Sequence, residues 1–212
     1  LAEHYTVIIP DLPGHGRSEG RSGPFRFDLV AEDLLALMSE MGFSRFHAIG
    51  YSAGGITLFH MATIDPDRID AMVIVSAPHQ LVKEDILAYP VYENHPPQVH
   101  SYWQDVHPGG EAQVSKLIEG FHAVAEMTAE MSLSPEQLAA IEARTLYVGG
   151  DRDPLVPLPI VIEMYESVPD ISLWILPEQG HSPIWPDWGG SENAARMFPE
   201  MVIRHLGDET LN

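Results

Sequence analysis

The chain has 212 residues, enough for one domain with a substantial core but too few for two ordinary domains. It carries 11 Lys plus Arg against 31 Asp plus Glu, and the resulting net charge of −20 repels nucleic acids and anionic membrane surfaces. The absence of cysteine excludes disulfides and thiolate metal sites, and no apolar run approaches the ~20 residues that span a bilayer. We therefore expect a single domain over residues 1–212, cytoplasmic, with no nucleic-acid or membrane partner.

The N-terminal part of the chain combines a strand pattern, a turn-rich loop and a helix pattern. Residues 5–9 are a continuous β-branched and aromatic run, which predicts a strand buried on both faces and ending at Pro10. Residues 11–18 are dense in turn residues. Asp28 can cap a helix, and Gly42 can end it in the left-handed conformation. The apolar positions between them recur at helical spacing, so this helix is predicted to cover a sheet.

Residues 50–54, Gly-Tyr-Ser-Ala-Gly, combine a strand end, a sharp turn and a helix start. Strand-tolerant residues precede them and an almost entirely apolar helical run follows, which places Ser52 between a buried strand and a buried helix. Such a turn forces its central residue toward positive φ, and we expect Gly50 and Gly54 to relieve the crowding there, with Gly55 adding further room. The pattern predicts a nucleophile elbow, with the Ala53 N–H as an oxyanion donor at the helix N-terminus.

Strand and helix patterns continue to alternate beyond the elbow, which predicts a parallel sheet with right-handed crossovers. Residues 71–75 form the next buried strand. From about residue 79 to 134, prolines interrupt the alternation of strand and helix patterns. We interpret this segment as a helical lid inserted between two strands, with one helix over residues 111–131. Its scattered histidines lack the spacing of metal ligands, so no metal site is predicted.

The C-terminal third returns to the sheet. A capping box at Ser134 predicts a short helix to about residue 142, and strands follow at residues 145–148 and 171–176. The loop after the first of these strands carries two carboxylates, Asp151 and Asp153, at the sheet edge where ligands of open α/β sheets bind. His181 follows the last strand, and residues 198–206 are predicted as the closing helix, with a proline in its first turn.

Residues 11–18, the elbow and the order serine, aspartate, histidine together resemble the α/β-hydrolase family from about residue 5 to 206. The resemblance implies a mostly parallel sheet with flanking helices and a catalytic triad of Ser52, Asp153 and His181, with no cofactor. Asp153 matches the family pattern Gly-x-x-Asp-Pro, and Asp151 is then the residue that caps the turn. A serine nucleophile also argues against the dehalogenases and epoxide hydrolases of this fold, which require a carboxylate.

The chain departs from the family pattern at its N-terminus. In the family, three strands and a His-Gly loop that carries the second oxyanion amide would precede residue 5. We therefore expect an N-terminally incomplete hydrolase that lacks a central strand, so that no full ladder joins residues 5–9 to residues 46–49. Losing one oxyanion donor costs roughly 10²–10³ in rate, so weak activity is expected from these residues alone.

The resemblance implies a serine hydrolase acting on a small-molecule carboxylic ester with a small or medium apolar acyl group. Tyr51 and Phe121 are the predicted substrate contacts. Two alternatives remain open: a non-catalytic ligand sensor or pseudoenzyme of the same fold, and a cofactor-free perhydrolase or C–C hydrolase using the same triad.

Overall fold

The computed structural model describes residues 1–21 and 25–207. Within these ranges the strands are β1 (Phe46–Tyr51), β2 (Ile69–Val75), β3 (Arg144–Gly150) and β4 (Ile171–Leu176). The α-helices are α1 (Phe27–Glu40), α2 (Ala53–Ile64), α3 (Lys83–Ala88), α4 (Pro97–Val106), α5 (Gly110–Ala123), α6 (Thr128–Met131), α7 (Pro135–Leu138), α8 (Leu158–Ser167) and α9 (Glu192–Leu206).

The four strands of the described chain form one sheet in the order β1-β2-β3-β4, and every neighbouring pair is parallel. Gly50 of β1 lies beside Ile74 of β2, and Gly149 of β3 lies beside Ile175 of β4. The predicted parallel α/β architecture is confirmed. Because parallel strands end at the same edge, the loops that follow β1, β3 and β4 meet at one side of the sheet.

Both faces of the sheet are covered, which explains why most residues of β2 and β3 are apolar. On one face, side chains of β2 and β3 such as Val73 and Val148 form a core with Val202 and Leu206 of α9. Alternate residues of β2 point the other way. On that side α2 contacts β1 and β2 and packs against α1, with Phe59 fully buried.

The chain divides into two compact units. The first contains Leu1–Val7, Phe27–Gln80 and the chain from Leu133 onward, and so holds the whole described sheet. The second contains Ile8–Arg26 and Leu81–Ser132, with α3 to α6. Within it, the Gln113 amide donates hydrogen bonds to the carbonyls of Gly14 (2.7 Å) and Gly16 (3.0 Å). Most of the segment predicted as a lid lies in this second unit, and its function as a lid stays a prediction.

The predicted strand at residues 5–9 is wrong, because these residues belong to no strand or helix. A strand requires a hydrogen-bonded neighbour, and β1 is an outer strand of the described sheet with β2 as its partner. Ile9 is 88% exposed, whereas Tyr5 packs edge-on against His47 with ring centroids 5.9 Å apart. As expected from the sequence, no ladder joins residues 5–9 to β1 in the part of the chain that is described.

Three predicted helices have different bounds in the structure. The helix expected from Ser134 to about residue 142 is α7, which ends at Leu138. The helix expected over residues 111–131 is divided into α5, a 3₁₀ turn at Val124–Glu126 and α6. The closing helix begins at Glu192 rather than Phe198, because the Ser191 hydroxyl accepts the Ala194 amide and caps it. Pro199 therefore lies inside α9, not in its first turn. In the described residues, the helices are all too short or too polar to cross a membrane.

Candidate active site

The elbow forms at the junction of β1 and α2. Ser52 has φ 50° and ψ −118°, a strained conformation for a residue with a side chain. A Cβ added to Gly50 would lie 2.5 Å from the carbonyl oxygen of Gly54, so only glycine fits where β1 meets the first turn of α2. A Cβ at Gly55 would lie 2.5 Å from that of Ala77, whereas one at Gly54 would meet nothing within 4 Å. The expected role of Gly54 is therefore wrong, and Gly55 has it instead.

Ser52, His181 and Asp153 form a continuous hydrogen-bonded chain. The distance from Ser52 Oγ to His181 Nε2 is 2.9 Å, and the distance from His181 Nδ1 to Asp153 Oδ2 is also 2.9 Å. An ionised carboxylate only accepts hydrogen bonds, so Nδ1 carries the ring proton and donates a hydrogen bond to Asp153. In the neutral imidazole, Nε2 is then the acceptor for the Ser52 hydroxyl.

Ser52 occupies the N-cap position of α2, but its side chain makes no capping hydrogen bond. Its hydroxyl is directed to His181 instead. The first amides of an α-helix have no acceptor within the helix, and the Ala53 N–H is the first of them in α2. The sequence prediction for this amide as an oxyanion donor is thus compatible with the local geometry.

Asp153 is held by backbone amides on the loop that follows β3. Its side chain is nearly inaccessible, and Oδ1 accepts the amides of Leu155 (2.9 Å) and Val156 (3.3 Å). Those two bonds orient the carboxylate so that Oδ2 faces His181. Asp151 is exposed and its Oδ1 accepts the Glu178 amide at 2.6 Å. Of the two carboxylates, the structure brings to the histidine Asp153, the one that the family pattern favours.

The acid loop and the histidine loop are joined through their backbones. The Arg152 amide donates to the Gln179 carbonyl at 2.9 Å, and the Asp151 amide donates to the Leu176 carbonyl at 3.1 Å. A Cβ added to Gly150 would lie 2.0 Å from that Gln179 oxygen, so a side chain there would push the two loops apart. Sequence reasoning used Gly150 only as part of a motif and missed this packing requirement.

The charge of Asp153 and burial also affect two nearby phenols. Burial raises the pKa of Tyr147 well above its ordinary value, and the Asp153 carboxylate adds to this. Burial likewise raises the pKa of Tyr51; the hydrogen bond with Ser182 opposes this rise, and the Asp153 charge adds a smaller rise. Both phenols therefore stay neutral at neutral pH.

The two predicted substrate contacts lie in different units. Tyr51 ends β1, and its hydroxyl lies 2.9 Å from the Ser182 hydroxyl, a contact that the sequence did not predict. Phe121 belongs to α5 of the second unit, where its ring contacts Tyr89 with centroids 5.4 Å apart. Substrate binding by either residue stays a prediction.

Comparison with known proteins identifies the family. A family model described as the alpha/beta hydrolase fold matches residues 1–108. The chain belongs to the α/β-hydrolase family. A hydrolase of Burkholderia vietnamiensis named for 2-hydroxy-6-oxononadienedioate and 2-hydroxy-6-oxononatrienedioate is 25% identical over 226 residues, covering 94% of this chain and 77% of that protein. A putative carbamate hydrolase of a Caulobacter species is 26% identical over 230 residues, covering 99% of this α/β-hydrolase and 83% of its relative.

Solved structures agree on the fold of this α/β-hydrolase. A meta-cleavage product hydrolase from Pseudomonas fluorescens superimposes with a TM-score of 0.73 at 19% identity, covering 98% of this chain and 82% of that one. At this identity the likeness concerns the fold. The named relatives are all hydrolases, which supports a hydrolase here. Their names differ in substrate, so the bond that this protein cleaves has to be argued from the site.

Proposed function

We propose that this α/β-hydrolase cleaves a carboxylic ester through an acyl-enzyme on Ser52. The observation that carries the proposal is the hydrogen-bonded chain from Ser52 through His181 to Asp153. A serine hydroxyl is a poor nucleophile at neutral pH and needs an adjacent base, and an imidazole with a free Nε2 lone pair at 2.9 Å can serve as that base.

The reaction would proceed in two half-reactions. His181 Nε2 takes the Ser52 proton as Oγ attacks the ester carbonyl, and the Ala53 N–H stabilises the oxyanion that forms. The imidazolium then returns this proton to the leaving alcohol, which departs as the C–O bond breaks. Water, activated by the same nitrogen, hydrolyses the acyl-enzyme and restores the hydroxyl. Asp153 keeps the ring in the reactive tautomer and stabilises its positive charge.

The ester is what the resemblance to the α/β-hydrolase family implies, and the charge of the protein bears on the acyl group. The protein carries a net charge of −20, which opposes the approach of anionic substrates and favours an uncharged acyl group. The apolar substrate preference expected from the sequence is kept in the proposal.

A C–C bond hydrolase is the second candidate, because two of the matched proteins carry names of this kind: the dienedioate hydrolase of Burkholderia and the meta-cleavage product hydrolase of Pseudomonas. The same triad could serve that reaction. A dienedioate is a dicarboxylate, however, and the acidic protein would disfavour it unless the site holds compensating cations.

Substrate profiling of the full-length protein separates the candidates. We expect turnover of p-nitrophenyl esters, highest for short and medium acyl chains, and lost in Ser52→Ala. A protein that turns over a dienedioate of the kind named for the Burkholderia relative and leaves all esters of the series intact would favour the C–C hydrolase. Binding of such compounds without any turnover would favour the ligand sensor.

A further inference from the structure

Two adjacent residues of the elbow contact two adjacent residues of the histidine loop. Ser52 Oγ lies 2.9 Å from His181 Nε2, and the Tyr51 hydroxyl lies 2.9 Å from Ser182 Oγ. The second hydrogen bond therefore runs beside the first and joins the same two segments of chain. Of the two, only the Ser52–His181 bond belongs to the proposed triad.

The histidine loop has a long distance to cover. β1 and β4 are the outer strands of the described four-stranded sheet, so the loop after β4 reaches across two strands to the elbow after β1. At about 4.8 Å between neighbouring strands, the strand axes are about 14 Å apart. The loop is bound to the acid loop near Gln179, and the Tyr51–Ser182 hydrogen bond is an attachment on the elbow side.

Tyr51 is suited to provide that attachment. Its ring packs against Trp185 with centroids 4.3 Å apart and lies 5.5 Å from the imidazole of His181. It also packs against the apolar core on the α9 face of the sheet. A tyrosine has few rotatable bonds, so packing of the ring fixes where the hydroxyl points.

We propose that the Tyr51–Ser182 hydrogen bond positions His181 against Ser52, which makes Tyr51 and Ser182 positioning residues of the reaction. This inference rests on the proposed hydrolase function. It replaces the direct substrate contact that the sequence predicts for Tyr51, because the polar atom of that side chain is engaged by Ser182. Misplacement of a catalytic group by as little as about 1 Å can cost about 10² in rate, so a single bond at this place has a measurable effect.

Three variants test the proposal by steady-state kinetics: Tyr51→Phe, Ser182→Ala and the double variant. One hydrogen bond contributes about 0.5–1.5 kcal/mol, which corresponds to about twofold to tenfold in rate. We expect each single change to lower kcat by that factor with KM unchanged, and the double change to cost no more than either. Ser182→Thr keeps a hydroxyl and should retain the activity. Tyr165→Phe, at an exposed tyrosine of α8, is the matched control.

Two kinetic outcomes would overturn the inference. A raised KM with unchanged kcat in Tyr51→Phe would make Tyr51 a substrate contact. Losses that multiply in the double variant would show that the two side chains act independently.

A measurement without turnover separates this inference from the proposed function. The imidazole NMR signals of His181 should change in the same way in Tyr51→Phe and Ser182→Ala and stay unchanged in Tyr165→Phe. Unchanged His181 signals in the first two variants would refute the positioning role whatever the enzyme hydrolyses. If those signals change as expected but the wild-type protein hydrolyses no substrate, the proposed function fails and the positioning of His181 still holds.

Discussion

Replacing Asp153 by asparagine should cripple the enzyme through the tautomer of His181. The carboxylate oxygen Oδ1 accepts two backbone amides, from Leu155 and Val156, and both still need an acceptor after the change. The carboxamide oxygen must therefore stay there, because the reversed orientation would leave two amides unpaired at about 1–3 kcal/mol each. The carboxamide NH₂ then faces His181 Nδ1 and forces that nitrogen to accept.

The consequence is an imidazole that carries its proton on Nε2, where it can no longer accept the proton of Ser52. A comparable change in a serine protease costs about 10⁴ in turnover, or about 5 kcal/mol at 1.36 kcal/mol per tenfold. We expect a loss of this order in kcat for Asp153→Asn. The matched control is Asp151→Asn, whose carboxamide oxygen can still accept the Glu178 amide, and it should lose no more than about threefold.

The assay is turnover of the best p-nitrophenyl ester, with thermal unfolding of each variant measured beside it to exclude misfolding. A larger loss in Asp151→Asn than in Asp153→Asn would move the acid to Asp151. A loss of less than about tenfold in Asp153→Asn would refute the tautomer argument.

Two further predictions concern stability. Gly55→Ala should destabilise the fold by about 1–3 kcal/mol because its Cβ would overlap that of Ala77, whereas Gly54→Ala, with open space around it, should be neutral or stabilising in urea unfolding. Burial lowers the pKa of His79 from 6.5, although the Glu163 carboxylate opposes this. The folded state then binds fewer protons than the unfolded state, so stability is complete above about pH 6.5 and declines as the pH falls below it. His79→Gln should flatten this decline, and His4→Gln, at an exposed histidine, should not.

Each of the two stability predictions has an outcome that would contradict it. Greater destabilisation by Gly54→Ala than by Gly55→Ala would contradict the close approach at the elbow. An unfolding free energy that declines as steeply between pH 6.5 and 5 in His79→Gln as in the wild type would mean that His79 contributes nothing to the pH dependence.

The site was predictable because its signals are local. The strained turn at Ser52 and the Gly-His pair after the last strand each occupy a few consecutive residues, and the parallel sheet brings the ends of their strands to one edge. The preference for Asp153 over Asp151 came from the family pattern, whereas its physical cause, the loop amides that turn the Asp153 carboxylate toward His181, is visible only in the structure.

Features that depend on distant parts of the chain were not predictable. Residues 5–9 have the composition of a strand, but a strand forms only beside a partner. The Tyr51–Ser182 contact joins residues 131 positions apart, and the crowding at Gly55 comes from Ala77, which follows the end of β2. The start of α9 was visible in principle, because Ser191 followed by Glu192 has the form of a helix cap.

The central claim, that Ser52 is the nucleophile, is tested most directly by covalent labelling with a serine-directed fluorophosphonate and peptide mapping by mass spectrometry. We predict a single phosphonylated site at Ser52, lost in Ser52→Ala and retained in Ser76→Ala. Ser76 is a matched control because it directly follows β2 and also has a positive φ, 49°, but is fully buried, and its hydroxyl has no hydrogen-bond partner within the described residues. Labelling that persists in Ser52→Ala, or that maps to another serine, would contradict the account.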